Sequence, residues 1–408
     1  MTRAESPPAG LYLHIPFCIS HCPYCDFVVV AGRDARGPAN RIGTFVSALE
    51  RELALRADAL DARIAARPAL DSVYLGGGTP SLLPATSIAR LLGIVRERFG
   101  LASDAEVTLE ANPGADERGD LRAARAAGVT RLSIGAQSMD HGELRTLGRR
   151  HSPGDVEATV RAAREVGIAS VSLDLLYDAP GASIDTWSRT LDAALALEPD
   201  HLSLYALRLD DPDAEGITGI EGDHLPVSDG ARRWRERART GQDDDRAAAM
   251  YELADVRLAR EGFQWYEISN WARAGHASRH NLGYWQGHTW EAVGPGAHAF
   301  DGVTRRWNAA RLDGYLAALL PADGAPPQLP PGGQDSIAAD ARATEAEAAI
   351  LALRMRTGIP ASALDRPSLG PALAWALDTR LLERTAEHRL ALTLSGRLLS
   401  NELFVRLV

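Results

Sequence analysis

The sequence predicts an α/β protein built on a parallel sheet, with a smaller, mostly helical unit at its carboxyl end. Short apolar, β-branched runs alternate with amphipathic stretches from the start to about residue 270, spaced by roughly 25 to 40 residues, the rhythm of βαβ units. Gly100, Gly128 and Gly167 each close an amphipathic stretch, where a C-capping glycine belongs. Polar residues recur at the carboxyl ends of the candidate strands, the face on which parallel α/β proteins build their sites.

The candidate strands are Leu11–Ile15, Ser72–Leu75, Glu106–Leu109, Arg131–Ile134, Ser170–Leu175 and His201–Leu204. Between them, helical periodicity covers Phe45–Arg56, Ala89–Phe99, Gly119–Ala127, Asp155–Val166 and Asp185–Leu197. The cysteine loop follows the first strand and Gly76-Gly77-Gly78-Thr79-Pro80 the second. Glu110 ends the third, Gln137 lies beyond the fourth and Asp174 near the end of the fifth. Any one of these could be a turn residue or a cap; five in order predict a site.

After residue 207 the rhythm breaks. Asp210–Asp245, rich in Asp, Gly and Arg, reads as an exposed insertion or long loop. Met250–Arg260 is helical again and Gln264–Ile268 a further strand. Organisation is therefore expected as 1–207, a segment 208–320 completing the core, a Pro/Gly-rich linker over 321–343 and a helical unit over 344–408. The last has three helical stretches and an ending that resembles a winged helix. Its eight Arg against seven Asp/Glu lack the basic face of a DNA reader.

Composition narrows the chemistry. The 408 residues carry a formal charge of -10, which disfavours broad contact with nucleic acid. All 44 basic residues are arginine, so Walker A phosphate binding and Schiff-base or PLP chemistry, which need a lysine, are excluded. No apolar run approaches the roughly 20 residues of a membrane span. The start lacks an apolar leader, so the cytoplasm is the expected compartment.

Only three cysteines occur, Cys18, Cys22 and Cys25, spaced C-x3-C-x2-C. Three clustered thiols are no disulfide framework. Three thiolates can hold three irons of a [4Fe–4S] cubane and leave the fourth open. The residues alone leave a Cys3His zinc site with His21 as the alternative, although His21 abuts Cys22 and sits awkwardly beside that thiolate.

This loop, with Tyr24 before the last cysteine, resembles the signature of the radical S-adenosylmethionine (SAM) superfamily. The resemblance spans about the first 205 residues. It implies a partial (β/α)6 barrel, a [4Fe–4S] cluster on Cys18, Cys22 and Cys25, and SAM on the open iron. The triple glycine resembles the family's strand-two motif, whose bare backbone can approach the methionine moiety. Within the superfamily the chain is similar to the coproporphyrinogen III oxidase/haem chaperone branch. That resemblance places Tyr12, Gly77, Gly78, Thr79, Glu110, Gln137, Arg149 and Asp174 around SAM. Carboxylates suit the ribose hydroxyls and ammonium, and Arg149 the carboxylate.

Three features separate the arms of that branch. The oxidase arm has a fourth cysteine where Phe27 stands here, and a long segment before the strand-one tyrosine, which only eleven residues precede here. His280-Asn281-Leu282-Gly283-Tyr284-Trp285 forms an H-N-x-x-Y-W motif that resembles the haem-binding motif of the HemW-type haem chaperones. Residues 265–307 also hold five of the eight tryptophans and four of the eleven histidines, and a porphyrin wants an aromatic wall and an axial imidazole. The resemblance implies a haem chaperone rather than a coproporphyrinogen oxidase, with His280, Asn281, Tyr284 and Trp285 on haem and His280 as axial ligand. Its implied partners are apo-haemoproteins, including peripheral contact with membrane haemoproteins, and an electron donor. His276 and His280 stand four apart, but no helix is expected beside Gly275 and Gly283.

Overall fold

In the computed structural model, which describes residues 6–64, 66–210, 216–336 and 341–408, six parallel strands form the centre of a twelve-stranded sheet. They are β1 (Gly10–Ile15), β2 (Leu70–Gly77), β3 (Leu101–Ala111), β4 (Arg131–Gln137), β5 (Ser170–Tyr177) and β6 (His201–Ala206). They pair in chain order, as a partial barrel requires, and no pairing among the described residues joins β6 back to β1. Strand Trp290–Val293 adds in parallel to the free side of β1, so the segment after residue 264 completes the sheet from both ends.

Strand alternation sorts the residues. Leu11, Leu13 and Ile15 of β1, with Val73 and Leu75 of β2, point to the helical layer and are buried against Phe45, Leu49 and Leu53. Those three lie on helix α1 (Ile42–Arg63). The opposite face carries Tyr12, Tyr74, Thr108 and Arg131 at one level, since each is the register partner of the next. That inner face is polar, and its convergent side chains build the site.

Two segments are corrected by the structure. The second half of the stretch expected to be a loop holds a helix, Asp229–Arg239, capped by Ser228 and buried through Ala231, Arg235 and Ala238. Its abundance of charge concealed an amphipathic face. Within the expected linker, Gly332–Ser336 is an edge strand on Thr304–Asn308; a side chain at Gly333 would collide with the ring of Trp307. Residues 211–215 of that loop and 337–340 of that linker lie outside the described residues.

The carboxyl-terminal part packs helices Ala341–Leu353, Gly370–Asp378 and Ser400–Leu407 on a three-stranded antiparallel sheet, with Leu373, Leu390 and Leu403 in its own apolar core. This agrees with the winged-helix-like form expected. It is fastened to the sheet domain by Arg397, which pairs bidentately with Asp255 at 2.8 and 2.7 Å. Among the described residues no helix is long and apolar enough to cross a membrane.

Candidate functional site

The cysteine loop leaves β1 and is pinned from three sides. Phe17–Cys18 pairs with Val30–Ala31, closing the loop at its base. Thr79 Oγ1 lies 3.4 Å from Cys18 Sγ, and Arg149 Nη1 donates to Cys22 Sγ at 3.5 Å. Arg235, from the unexpected helix, donates to the Tyr24 carbonyl at 2.8 Å and pairs with the Asp26 carboxylate.

Cys18, Cys22 and Cys25 line a cavity of about 460 Å³, and six of the eight residues expected around SAM line it too: Gly77, Gly78, Glu110, Gln137, Arg149 and Asp174. Thr79 lies beneath it, where it also accepts from Asn112 Nδ2 at 3.0 Å. Tyr12 falls outside that lining and instead lines a neighbouring cavity, in a ring column where it stacks on Tyr74 and bonds His14.

Local structure explains the placements. Gly78 passes so close to the cysteine loop that a Cβ would lie 2.7 Å from the Phe17 carbonyl, and Gly77 takes φ +113. Gln137 has φ 65, a left-handed conformation costly for a non-glycine residue, at the irregular end of β4. Arg149 is held by Asn112 Oδ1 at 2.6 Å and the Gly135 carbonyl at 2.9 Å. Asn112 and Tyr74, which donates to Glu110 at 2.7 Å, were not foreseen as site residues. Asn112 could have been found, because it stands two residues beyond Glu110 and so shares its strand face.

Two observations test whether these residues suit a cluster and SAM. Arg149 Nε is buried without a partner, as a donor kept for a ligand would be. Burial pushes the Cys18 thiol up to about 11 and the Cys25 thiol to about 12, so a cationic metal centre is what would hold them as thiolates. Among the described residues no three His, Cys, Asp or Glu close on a single-ion site; the thiols border a wider space. The donor set therefore fits.

The floor of the cavity is acidic. Burial, with help from the neighbouring Asp174 charge, raises the Glu110 carboxyl to about 7, against the hydrogen bonds from Tyr74 and Gly77 that lower it. Asp174, bonded by Ser133 at 3.0 and 3.1 Å, is raised by burial as well. A cationic ligand favours the ionised form, so binding SAM should release the Glu110 proton below pH 7. In cluster-loaded protein, SAM affinity should fall by up to about tenfold per pH unit below 7 and level off above it. Glu110→Gln should remove that dependence. Equilibrium dialysis giving a flat profile between pH 5.5 and 8 would contradict it.

A second cavity, of about 620 Å³, adjoins the first and shares Asp26, Phe27 and Arg208 with it. Tyr284 and Trp285 stand in its wall. Tyr284 meets Trp290 at 4.6 Å and Trp290 meets Phe300 at 5.4 Å, making a continuous aromatic surface. The carboxyl-terminal helix Ala341–Leu353 adds Glu347 and Leu351, so that unit closes one side of the cavity.

The other half of the motif is elsewhere, and its placement corrects two expectations. Arg279–Trp285 is a short helix, capped by Ser278, despite Gly283 within it. His280 is buried within the ring column, 5.2 Å from Tyr74, with Nδ1 2.9 Å from Ser72 Oγ and Nε2 2.8 Å from Tyr284 OH. Both ring nitrogens are engaged, so it offers none to a haem iron as placed. Burial lowers its pKa to about 3. Asn281 donates to Tyr266 OH at 3.3 Å and lines neither cavity. His276 contacts Ser170 instead, so it and His280 do not converge.

A family model described as the Radical SAM superfamily matches residues 12–194. The protein called heme chaperone HemW from Mycobacterium tuberculosis strain H37Rv is 42% identical over 394 residues, 97% of this chain and 93% of its own. Its namesake from Escherichia coli strain K12 is 34% identical, over 72% of this chain and 70% of its own. Among solved structures, coproporphyrinogen III oxidase (HemN) from Escherichia coli superposes with a TM-score of 0.78 at 22% identity, covering 98% of this chain and 90% of that one. At that identity the likeness is one of fold.

Proposed function

Because the chain belongs to the radical SAM superfamily, in the branch of the HemW heme chaperones, we propose that it binds haem in the 620 Å³ cavity and passes it to apo-haemoproteins. One observation carries the reading: Tyr284 and Trp285 of the H-N-x-x-Y-W motif stand on an aromatic wall beside the cavity that gathers the cysteines. The volume lies within the roughly 300–1,000 Å³ of small-molecule sites.

Cys18, Cys22 and Cys25 are the proposed ligands of a [4Fe–4S] cluster. Gly77, Gly78, Glu110, Gln137, Arg149 and Asp174 surround SAM in this reading, with Tyr12 and Thr79 behind them. A cluster bound by three thiolates supplies an open iron and an electron, which implies an external electron donor as partner. The protein's own part is to bind and orient: Arg149 takes a carboxylate, Glu110 and Asp174 face the cationic groups, and the bare Gly77–Gly78 backbone allows close approach.

For haem, Tyr284 and Trp285 form the wall, while His280 and Asn281 act as positioning residues that seat the helix. His298 lines the same cavity, with the Asp223 carboxylate 3.0 Å from its Nε2. A carboxylate on one ring nitrogen is the usual orienter of an imidazole that binds metal through the other. His298 is therefore the proposed iron ligand.

Haem titration followed at the Soret band tests this. The unmodified chain should shift the band, and Trp285→Ala should weaken binding by at least about tenfold. His298→Ala should move the maximum of the complex, whereas His280→Gln should leave it in place. If the unmodified chain gives no shift, the haem reading fails. If His280→Gln moves the maximum and His298→Ala does not, the ligand assignment reverses.

A further inference from the structure

Arg208 follows β6 at the point where the two cavities meet, and it lines both. Apart from Asp210 and His224, the acidic groups of the larger cavity are already engaged, as are Arg305 and His298. Arg305 pairs with Glu347, Asp26 with Arg235, and Asp223 with His298, while Asp223 also accepts from the Ile217 amide at 2.8 Å. Asp210 lines the cavity two residues on. Among the described residues no hydrogen bond or ion pair holds the Arg208 guanidinium.

A guanidinium without a partner, beside an aromatic wall, has the chemistry for a flat ligand that carries carboxylates. Resting on the haem-binding reading above, we propose that Arg208 is the carboxylate anchor of the larger cavity, binding a propionate of haem whose ring lies against Tyr284, Trp285, Trp290 and Phe300. The anchor sets orientation. With one propionate held at the junction, the porphyrin edge is turned toward Phe27, which with Asp26 and Arg208 is shared by the two cavities.

SAM also carries a carboxylate, and Arg208 reaches its cavity too, so the test must separate the two sources. Haem and iron protoporphyrin IX dimethyl ester, which lacks the free carboxylates, are titrated into full-length protein in the same solvent. The variants are Arg208→Gln and Arg208→Lys, and SAM affinity is measured alongside on cluster-loaded protein.

The unmodified chain should prefer haem over the ester by about tenfold or more, equivalent to about 1.4 kcal/mol. Arg208→Gln should erase that preference by weakening haem alone, and Arg208→Lys should restore part of it. Equal weakening of haem and ester, or no weakening of haem, overturns the anchor. Loss of SAM affinity with haem binding spared overturns it too, assigning the guanidinium to SAM. Failure of the unmodified chain to bind either porphyrin is a different result, which removes the haem reading itself.

Discussion

Replacing any one of Cys18, Cys22 and Cys25 with serine is expected to abolish iron and sulfide incorporation, leaving essentially none after anaerobic reconstitution. The loss should be complete rather than graded. The chain holds no fourth cysteine, and two remaining thiolates cannot keep three irons of a cubane. Thr79 and Arg149 already engage Cys18 and Cys22, so a serine would meet a pocket shaped for sulfur without the soft donor iron needs. His21 supplies the control, since it lines the same cavity and is the residue a zinc site would recruit. His21→Ala should keep iron and sulfide. Metal analysis showing one zinc per chain, lost equally in His21→Ala and Cys22→Ser, would sink the cluster.

Arg397→Ala should be the most damaging change to stability outside the site. Its side chain is almost fully buried, stacks on Trp265 at 4.4 Å and holds both oxygens of Asp255. Among the described residues, removing it leaves Asp255 with only the Trp271 Nε1 donor at 3.0 Å. Breaking a buried pair in this way typically costs about 3–5 kcal/mol, and the partial exposure of Asp255 places this case near the lower end. The pair joins helix Leu394–Leu398 to helix Asp244–Arg260, so the carboxyl-terminal unit that supplies Glu347 and Leu351 should loosen. Thermal melts should show a fall of several degrees, together with weaker haem binding. Arg397→Met combined with Asp255→Leu should recover much of the stability, because apolar replacement of both partners leaves no buried charge. A melt of Arg397→Ala within a degree of the unmodified chain would refute the fastening role.

The parallel strands were legible because each combines an apolar, outward-facing alternation with a local stop signal. Leu11, Leu13 and Ile15 announce β1 by themselves, and the observed strand adds only Gly10. The helix Asp229–Arg239 was hidden for the converse reason: its buried face is carried by two alanines and Arg235, and a buried arginine reads as a solvated one. Arg235 becomes recognisable only when the Tyr24 carbonyl and Asp26 carboxylate are seen to meet it from more than 200 residues away.

The H-N-x-x-Y-W motif divides along the same line. Its residue types could be read from the chain, but not which way each one faces. Helix Arg279–Trp285 is too short to show a reliable periodicity, and its seat is set by contacts with β2 and β3. Ser278 Oγ donates to Glu106 at 3.2 Å, and His280 reaches Ser72. Those contacts turn His280 into the interior and leave Tyr284 and Trp285 at the cavity.

From its own order, the chain determined the spacing of three thiols, the βα rhythm, the glycine turn after β2 and the polar residues that end successive strands. All are local, since adjacent residues constrain one another through backbone geometry alone. Only the tertiary structure decided that two cavities share a wall, that the carboxyl-terminal unit closes one of them, and that Arg208 stands between them with no partner among the described residues. Such facts depend on burial and charge pairing between segments far apart in the chain, which no short stretch of residues encodes by itself.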